Sequence, residues 1–289
     1  MSSTLKVAVV QPVPVDNDPA DRRNPEKAVK LLDQAAVYEP DLVVFPEYFP
    51  FHETRDLVEA VRDLGAFVVA GIAYREGGSL YNTATIYSPR GEVLARQRKR
   101  FIGRLESRLW GFQAWNGPYT VVDIGKARLG VAVCADFWSF PEASLELFLA
   151  GADVFVNPSY MFSLQGHWIK ANLSRALDFF TPVIGADFAA YPFRTKRYVF
   201  HGGGSSHVIV PPSDMEEYGE WWASGAVDVS GWIRVKLSEK EGIAYYEINV
   251  AGVNQVRRDW WKRLRGSSLE EWLALARSRH ANAKLLKYI

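Results

Sequence analysis

The chain has 289 residues, 48% of them hydrophobic and 23% charged, with a formal net charge of +1. That length suits one large α/β domain or two small ones, and the composition is that of an ordinary globular protein. Near-neutral charge gives no electrostatic reason to expect a nucleic-acid partner, and no apolar run approaches the ~20 residues of a membrane span.

A single cysteine forbids an internal disulfide and fits a reducing compartment. No signal-peptide-like apolar stretch follows Met1, so the chain reads as cytoplasmic. Residues 7–11 form a short apolar strand, followed by a Pro-rich loop. Asn24-Pro25 reads as an N-cap and first-turn proline for a helix to about Tyr38, with Ala28, Leu31, Leu32, Ala35 and Ala36 on its inner face. Residues 42–45 are a continuous apolar strand that stops at Pro46-Glu47-Tyr48, and a second helix covers about 54–64. Strands at 66–72, 81–87 and 93–97 are joined by turns at Gly77-Gly78 and Pro89-Arg90-Gly91. From Arg96 to Arg108 arginines crowd around Lys99. Glu106 interrupts the run, so it reads as a solvated or structural face rather than a phosphate-binding one.

Strands at 119–123 and 128–133 follow, and the second leads into Cys134. Pro141-Glu142 opens a helix over about 143–150, residues 153–156 form a buried strand, and a long helix over 166–180 is terminated by Pro182. Further strands fall at 183–186, 206–210, 232–237 and 243–250. Ser268-x-x-Glu271 is a capping-box pattern for a C-terminal helix to about Leu286. Ten tryptophans, many after position 220, suggest a packed tail or a buried interface. The alternation of strands and helices, broken by hairpins, predicts an α/β layered domain with mixed sheets and no linker or repeat.

Cys134 sits where an apolar strand gives way to polar residues, an edge at which α/β folds build sites. A lone cysteine is usually a buried, inert thiol; a nucleophile needs a base or a cation nearby. None of the five histidines (His52, His167, His201, His207, His280) lies in that stretch. Glu47 and Lys99, however, each follow a strand as Cys134 does, so the three can converge at one sheet edge. Each also has a plain reading, Glu47 as a turn residue and Lys99 as part of a solvated face. His201 and His207 lack further metal-ligand spacing, and Gly202-Gly203-Gly204 lacks the lysine of a phosphate-binding loop. Trp138, Tyr160, Phe162 and His167 fall just after the site strands and either shape a pocket or belong to the core.

Taken together, three segments resemble the nitrilase superfamily of carbon–nitrogen hydrolases over nearly the whole length to about residue 260. They are Asp41-Leu-Val-Val-Phe-Pro-Glu-Tyr48, Gly91-Glu-Val-Leu-Ala-Arg-Gln-Arg-Lys99, and Gly130-Val-Ala-Val-Cys-Ala-Asp-Phe-Trp-Ser-Phe-Pro-Glu142 followed by Gly151-Ala-Asp-Val-Phe-Val-Asn-Pro-Ser159. Glu106-Ser107 with Gly117 and the late Gly203-Gly-Ser-Ser-His207 stretch are similar to further family segments. The resemblance implies a four-layer αββα sandwich over 1–260, with a C-terminal helical extension over 261–289 that packs on a partner subunit or on its own domain. It implies a Glu47-Lys99-Cys134 triad: Cys134 as nucleophile, Glu47 as base, and Lys99 with the backbone N–H of Ala135 as oxyanion stabilisers. Glu106 would be a second carboxylate at Lys99 or the substrate, and Tyr48, Trp138 and Tyr160 are candidate substrate contacts. The implied activity is hydrolysis of a small non-peptide amide or carbamoyl bond, without metal or organic cofactor, by a homodimer or higher homo-oligomer. A nitrilase or acyl transferase on the same triad, and a non-catalytic ligand-binding relative, are the alternatives. This chain departs from the family's usual pattern at Arg100-Phe101, where a histidine is common, and at Ala186-Asp187-Phe188, where Asn-Arg is common, and it carries an insertion over 191–200. Ala135-Asp136 after the cysteine differs from the Trp-Glu of nitrilases and favours amides.

Overall fold

Successive residues of the first strands go to different cores. In the computed structural model, which describes residues 4–161, 164–194, 199–225, 228–265, 268–278 and 284–287, Leu5, Val7 and Val9 of β1 (Thr4–Gln11) lie in one buried cluster. Ala8 and Val10 lie in another. The same split separates Leu42 and Val44 from Val43, and Val69 from Val68 and Ala70. This is the period-two signature of a sheet buried on both faces.

The first half continues with α1 (Asn24–Ala36), β2 (Leu42–Val44), β3 (Pro50–Phe51), α2 (Arg55–Leu64), β4 (Phe67–Glu76), β5 (Ser79–Tyr87) and β6 (Val93–Arg98). The second half opens with α3 (Arg104–Trp110), β7 (Thr120–Asp123), β8 (Arg128–Val131), α4 (Ala135–Trp138) and α5 (Pro141–Leu149). Then come β9 (Val154–Pro158), α6 (Gln165–Phe179), β10 (Val183–Ala186), and a separate hairpin of β11 (Tyr191–Arg194) and β12 (Val199–Gly202). The chain closes with β13 (His207–Ile209), α7 (Met215–Ala223), β14 (Ile233–Lys236), β15 (Gly242–Asn249), α8 (Val250–Arg265), α9 (Leu269–Arg277) and β16 (Lys284–Lys287).

One sheet runs β15-β1-β2-β4-β5-β6, with β3 also on β4; the other runs β14-β13-β10-β9-β8-β7-β16. In each, three central strands are parallel: β1, β2 and β4, then β8, β9 and β10. Their crossovers are helical, which puts α1 and α2 outside one sheet and α5 and α6 outside the other. The inner faces meet in one large apolar cluster, where Val7, Val44 and Val69 share a core with Leu129, Val131 and Val156. The four-layer αββα sandwich is therefore observed. Among the described residues no helix is long and apolar enough to cross a membrane.

Several local expectations are corrected. Helix α1 ends at Ala36 rather than Tyr38, and Ala36 is exposed while Ala28, Leu31, Leu32 and Ala35 are buried. Asn24 does not cap that helix. Its side chain accepts from the Val15 N–H at 2.8 Å and donates to the Asp18 and Pro19 carbonyls at 2.9 Å, pinning the preceding loop instead. The Ser268–Glu271 capping box forms as expected, but α9 stops at Arg277, and residues 284–287 pair in parallel with β7 instead of continuing the helix. A short apolar pair such as Leu285-Leu286 fits either period. Helices α3, α7 and α8 were not expected. Helix α7 has its cap in Asp214, whose carboxylate accepts the Glu217 N–H at 2.8 Å. The late tryptophans pack inward: Trp260 and Trp261 join the large apolar cluster with Val253 and Val256 of α8, and Trp261 lies on Phe148 of α5 at 6.2 Å and meets Trp272 at 4.6 Å.

The arginines around Lys99 have a structural role. Arg96 pairs with Glu53 and lies over Tyr74, Arg98 pairs with Glu76 and lies over Trp115, and Arg100 pairs with Glu146 and lies over Tyr119.

Gly71 in β4 lies against the turn that carries Glu47. A Cβ there would collide with the Tyr48 nitrogen and the Pro46 carbonyl oxygen and fall 2.8 Å from the Glu47 carbonyl carbon. Backbone atoms on both sides cannot swing away. Gly71→Ala should therefore destabilise the protein by about 3 kcal/mol, read as a lower urea midpoint. An unchanged midpoint would mean that the turn is loosely held.

Candidate active site

Glu47 and Lys99 are placed by different strand ends, and Glu106 by a helix. Glu47 follows β2 in a tight turn whose Phe49 carbonyl accepts the Gly71 N–H at 2.8 Å, and Tyr48 in that turn takes a left-handed φ of 63°. Its carboxylate is buried and accepts from Asn82 Nδ2 at 2.7 Å. Lys99 comes immediately after β6, and its N–H donates to the Asn82 carbonyl at 2.9 Å. The Lys99 ammonium donates to Glu47 Oε1 and to Glu106 Oε1, both at 2.7 Å. Glu106 comes from α3. Its other oxygen accepts the Gly103 N–H at 2.6 Å, and Oε1 also accepts the Tyr48 hydroxyl.

Cys134 belongs to the other sheet. The helix expected to open at Pro141 is preceded by the short α4, so Cys134 sits directly between strand and helix with φ 48° and ψ −118°. Such a conformation costs on the order of 1–3 kcal/mol and persists only where its surroundings enforce it. Here its N–H donates to the Pro158 carbonyl at 2.8 Å, and its carbonyl accepts from Asn157 Nδ2 at 3.2 Å. The N–H of Ala135, at the first position of α4, has no carbonyl a full turn behind it. The Tyr160 backbone N–H faces the sulfur.

Asp136 ties the two halves together. Its Oδ2 accepts the Arg100 N–H at 2.7 Å and its Oδ1 the Phe101 N–H at 2.9 Å, so the residues after Lys99 are clamped to the residues after Cys134. The Arg100 guanidinium adds a two-pronged bond to Glu146 of α5 at 3.0 and 2.8 Å. Arginine thus occupies the place where the family commonly has histidine, and it braces the lysine segment from the side.

A cavity of about 230 Å³ opens on this constellation, and Glu47, Lys99, Glu106, Cys134 and Ala135 all border it. Tyr48, Trp138 and Tyr160 line it as well. His167 does not border it but lies edge-on against Trp138 at 5.3 Å. Phe162 and His280 lie outside the described residues. His207 is buried in the core instead, its ring nitrogens on the Ser205 carbonyl and Asn172, and burial lowers its pKa to about 4. The side chain of His201 is not described. Among the described residues no group of three or more His, Cys, Asp or Glu side chains could hold a metal ion. Sequence reasoning missed Asn82, Asp136 and Asn157 as parts of this architecture. Their only signal was a polar residue inside or directly after a strand otherwise bound for the core.

Burial governs the charges. It pushes the Glu47 carboxyl above its ordinary range, against the pull of Lys99 and with added push from Glu106. Burial also pushes the Cys134 thiol up, Glu47 adds to that, and Lys99 opposes it. For Lys99 burial disfavours the charge, but Glu47, the sulfur and Glu106 outweigh it and hold the ammonium well above its ordinary value. Burial raises Asp136 to about 6, opposed by the two N–H groups it accepts.

Known proteins resemble the chain in sequence and in fold. The family description "Carbon-nitrogen hydrolase" matches residues 6–258. A nitrilase of Pyrococcus abyssi is 34% identical over 175 residues, 54% of this chain and 64% of that protein, so the match spans less than two thirds of that relative. An aliphatic nitrilase of Rhodococcus rhodochrous is 26% identical over 309 residues, covering 89% of this chain and 78% of that one. A carbon-nitrogen hydrolase from Helicobacter pylori G27 shares the fold with a TM-score of 0.74 at 20% identity, over 95% of this chain and 98% of that one. A double mutant of the amidase from Nesterenkonia sp. AN1, in complex with acrylamide, superposes with a TM-score of 0.67 at 19% identity, over 89% and 97%. With the family matched across both sheets and every segment that borders the cavity up to Leu164, the chain belongs to the carbon–nitrogen hydrolase family.

Proposed function

We propose that this protein hydrolyses a small non-peptide amide or carbamoyl C–N bond through a thioester on Cys134. The observation that carries the reading is one buried ammonium shared by two carboxylates in a cavity that also holds the sole cysteine. A thiol whose proton is tightly held needs a base at the moment of attack, and Glu47 is a buried carboxylate with raised proton affinity beside it.

In the first step the sulfur forms a bond to the carbonyl carbon, the carbonyl π pair moves to oxygen, and the thiol proton passes to Glu47. Negative charge thereby moves from Glu47 to the oxyanion, where the Lys99 ammonium and the Ala135 N–H receive it. Collapse breaks the C–N bond, and Glu47 returns the proton to the departing nitrogen. Water then attacks the thioester and gives a proton to Glu47; collapse breaks the C–S bond and releases the acid, and Glu47 passes that proton to the sulfur to restore the thiol. Glu106 holds Lys99 in reach of both partners. Each step uses side chains and water.

The residues Ala135-Asp136 after the cysteine favour amides over nitriles. On the same reading the protein is cytoplasmic and assembles as a homodimer or larger, which sedimentation of the purified chain tests directly.

Ammonia release from matched amides and nitriles should appear with amides, and Cys134→Ala should lower it by about 10⁴-fold or more. Release from nitriles alone would assign the triad to nitrile chemistry, and an amine acceptor that suppresses acid formation would make it a transferase. Alkylation by iodoacetamide, mapped to Cys134, should slow at least tenfold in Lys99→Ala, about 1.4 kcal/mol of lost thiolate stabilisation. A thiol inert in the wild type would favour a binding protein.

A pH profile tests the clamp. Asp136 has its native pKa raised to about 6 above an ordinary 3.8, so it gains its proton as pH falls through 6, and one of its two N–H acceptors is then compromised. By linkage its charge costs stability above about pH 6, and that cost fades as pH falls toward the unfolded value. Asp136→Asn should be several-fold less active than wild type at pH 8 and approach it at pH 5. A ratio constant across that range would remove Asp136 from the account.

A further inference from the structure

The wall of the cavity carries information about the acyl group that Cys134 would receive. Three charged side chains border it, Glu47, Lys99 and Glu106, and they are bonded to one another. Two carboxylates against one ammonium leave an excess of negative charge. The Tyr48 hydroxyl is spent on Glu106 and the Tyr160 hydroxyl is bonded to that of Tyr191. The remaining described side chains in the wall are apolar or aromatic, among them Leu105, Trp110, Met161 and Leu164. Trp138 offers one buried donor without a protein partner, its Nε1–H. A single indole N–H suits a neutral acceptor, whereas a buried carboxylate requires a cation or several donors.

Volume points the same way. An apolar cavity of ~150 Å³ takes up benzene, so about 230 Å³ exceeds what a formyl or acetyl group fills. On the reading that Cys134 is acylated, we infer that the substrate is the amide of an uncharged, apolar acyl group about the size of a hexanoyl or benzoyl unit. The acyl chain then runs from Cys134 along the apolar wall of Leu105, Trp110 and Leu164. An acyl group ending in a carboxylate is disfavoured, because it would meet the excess negative charge, and Lys99, the one cation among the described wall residues, is already engaged by Glu47 and Glu106.

The test compares formamide, acetamide, butyramide, hexanamide, benzamide and succinamate by ammonia release. Alongside them, the 4-nitrophenyl esters of acetate, butyrate, hexanoate, benzoate and succinate are followed by the nitrophenolate burst. Each buried methylene should raise kcat/KM about fourfold, so hexanamide should exceed acetamide by about 10²-fold, with benzamide similar and succinamate at or below acetamide. The burst rates should follow the same order. Leu164 is half-exposed at the rim, and Leu164→Asp should lower the hexanamide-to-acetamide ratio at least tenfold. A flat series, a preference for formamide, or a preference for succinamate overturns the inference. A burst ordered by acyl group without amide turnover supports the acyl pocket and counts against amide hydrolysis. No turnover and no burst dependent on Cys134 sinks both readings together.

Discussion

The structure turns on one buried ammonium. Lys99 and Glu47 are 3% and 1% exposed, and the cost of removing such charges from water is several kcal/mol per ion unless each finds a close partner. Lys99 finds two, at 2.7 Å each. The partners come from a turn after β2 and a short helix after β6, so neither piece can settle without the other. Asn82 closes the arrangement by donating to Glu47 while its carbonyl fixes the backbone of Lys99. The charges depend on one another: taking away Lys99 leaves two carboxylates without their cation, and taking away either carboxylate leaves Lys99 with one partner.

That constraint adds to the burial that pushes the Cys134 thiol up. A thiolate in this cavity would add a further negative charge to an existing excess, and burial penalises it again. On the proposed reaction, charge relocates instead from Glu47 to an oxyanion, without changing the total. Preorganised groups are most effective when they need not move as charge develops. The bend at Cys134 sets the sulfur one residue before the first N–H of α4, at the expense of an unfavourable φ.

Much of this was legible in the sequence, for physical reasons. The central strands are continuous apolar runs because both faces are buried, and Glu47 and Cys134 stand out because each is the first ionisable group past such a run. Lys99 is marked only by ending a strand that already carries Arg96 and Arg98. Other features left weak traces. Helix α4 is four residues long and begins directly after the cysteine, too short for any period to register. Helix α8 carries Arg257, Arg258 and Asp259 among its apolar positions, and Arg257 is buried beside Asp153, which blurred its inner stripe. The strand over 284–287 depends on a neighbour 164 residues earlier in the chain, Thr120 facing Lys284, which local pattern cannot foresee. Asn24 looked like a cap and is a loop anchor, because the same side-chain atoms satisfy either set of backbone groups.

Convergence of the site follows from the layering rather than from any one contact. Glu47 and Lys99 are carried by one sheet and Cys134 by the other, so the reactive atoms meet across the plane where the sheets pack. Apolar packing between sheets sets a spacing of roughly 10 Å but tolerates sliding. Directional bonds are needed to fix the offset, and Asp136 supplies them: two successive N–H groups of the lysine strand's continuation end on a carboxylate two residues beyond the sulfur. The Gln97 side chain, accepting the Thr120 N–H at 2.8 Å, makes a second such link from β6 to β7. Residues that touch neither substrate nor sulfur therefore determine where the ammonium stands relative to the thiol.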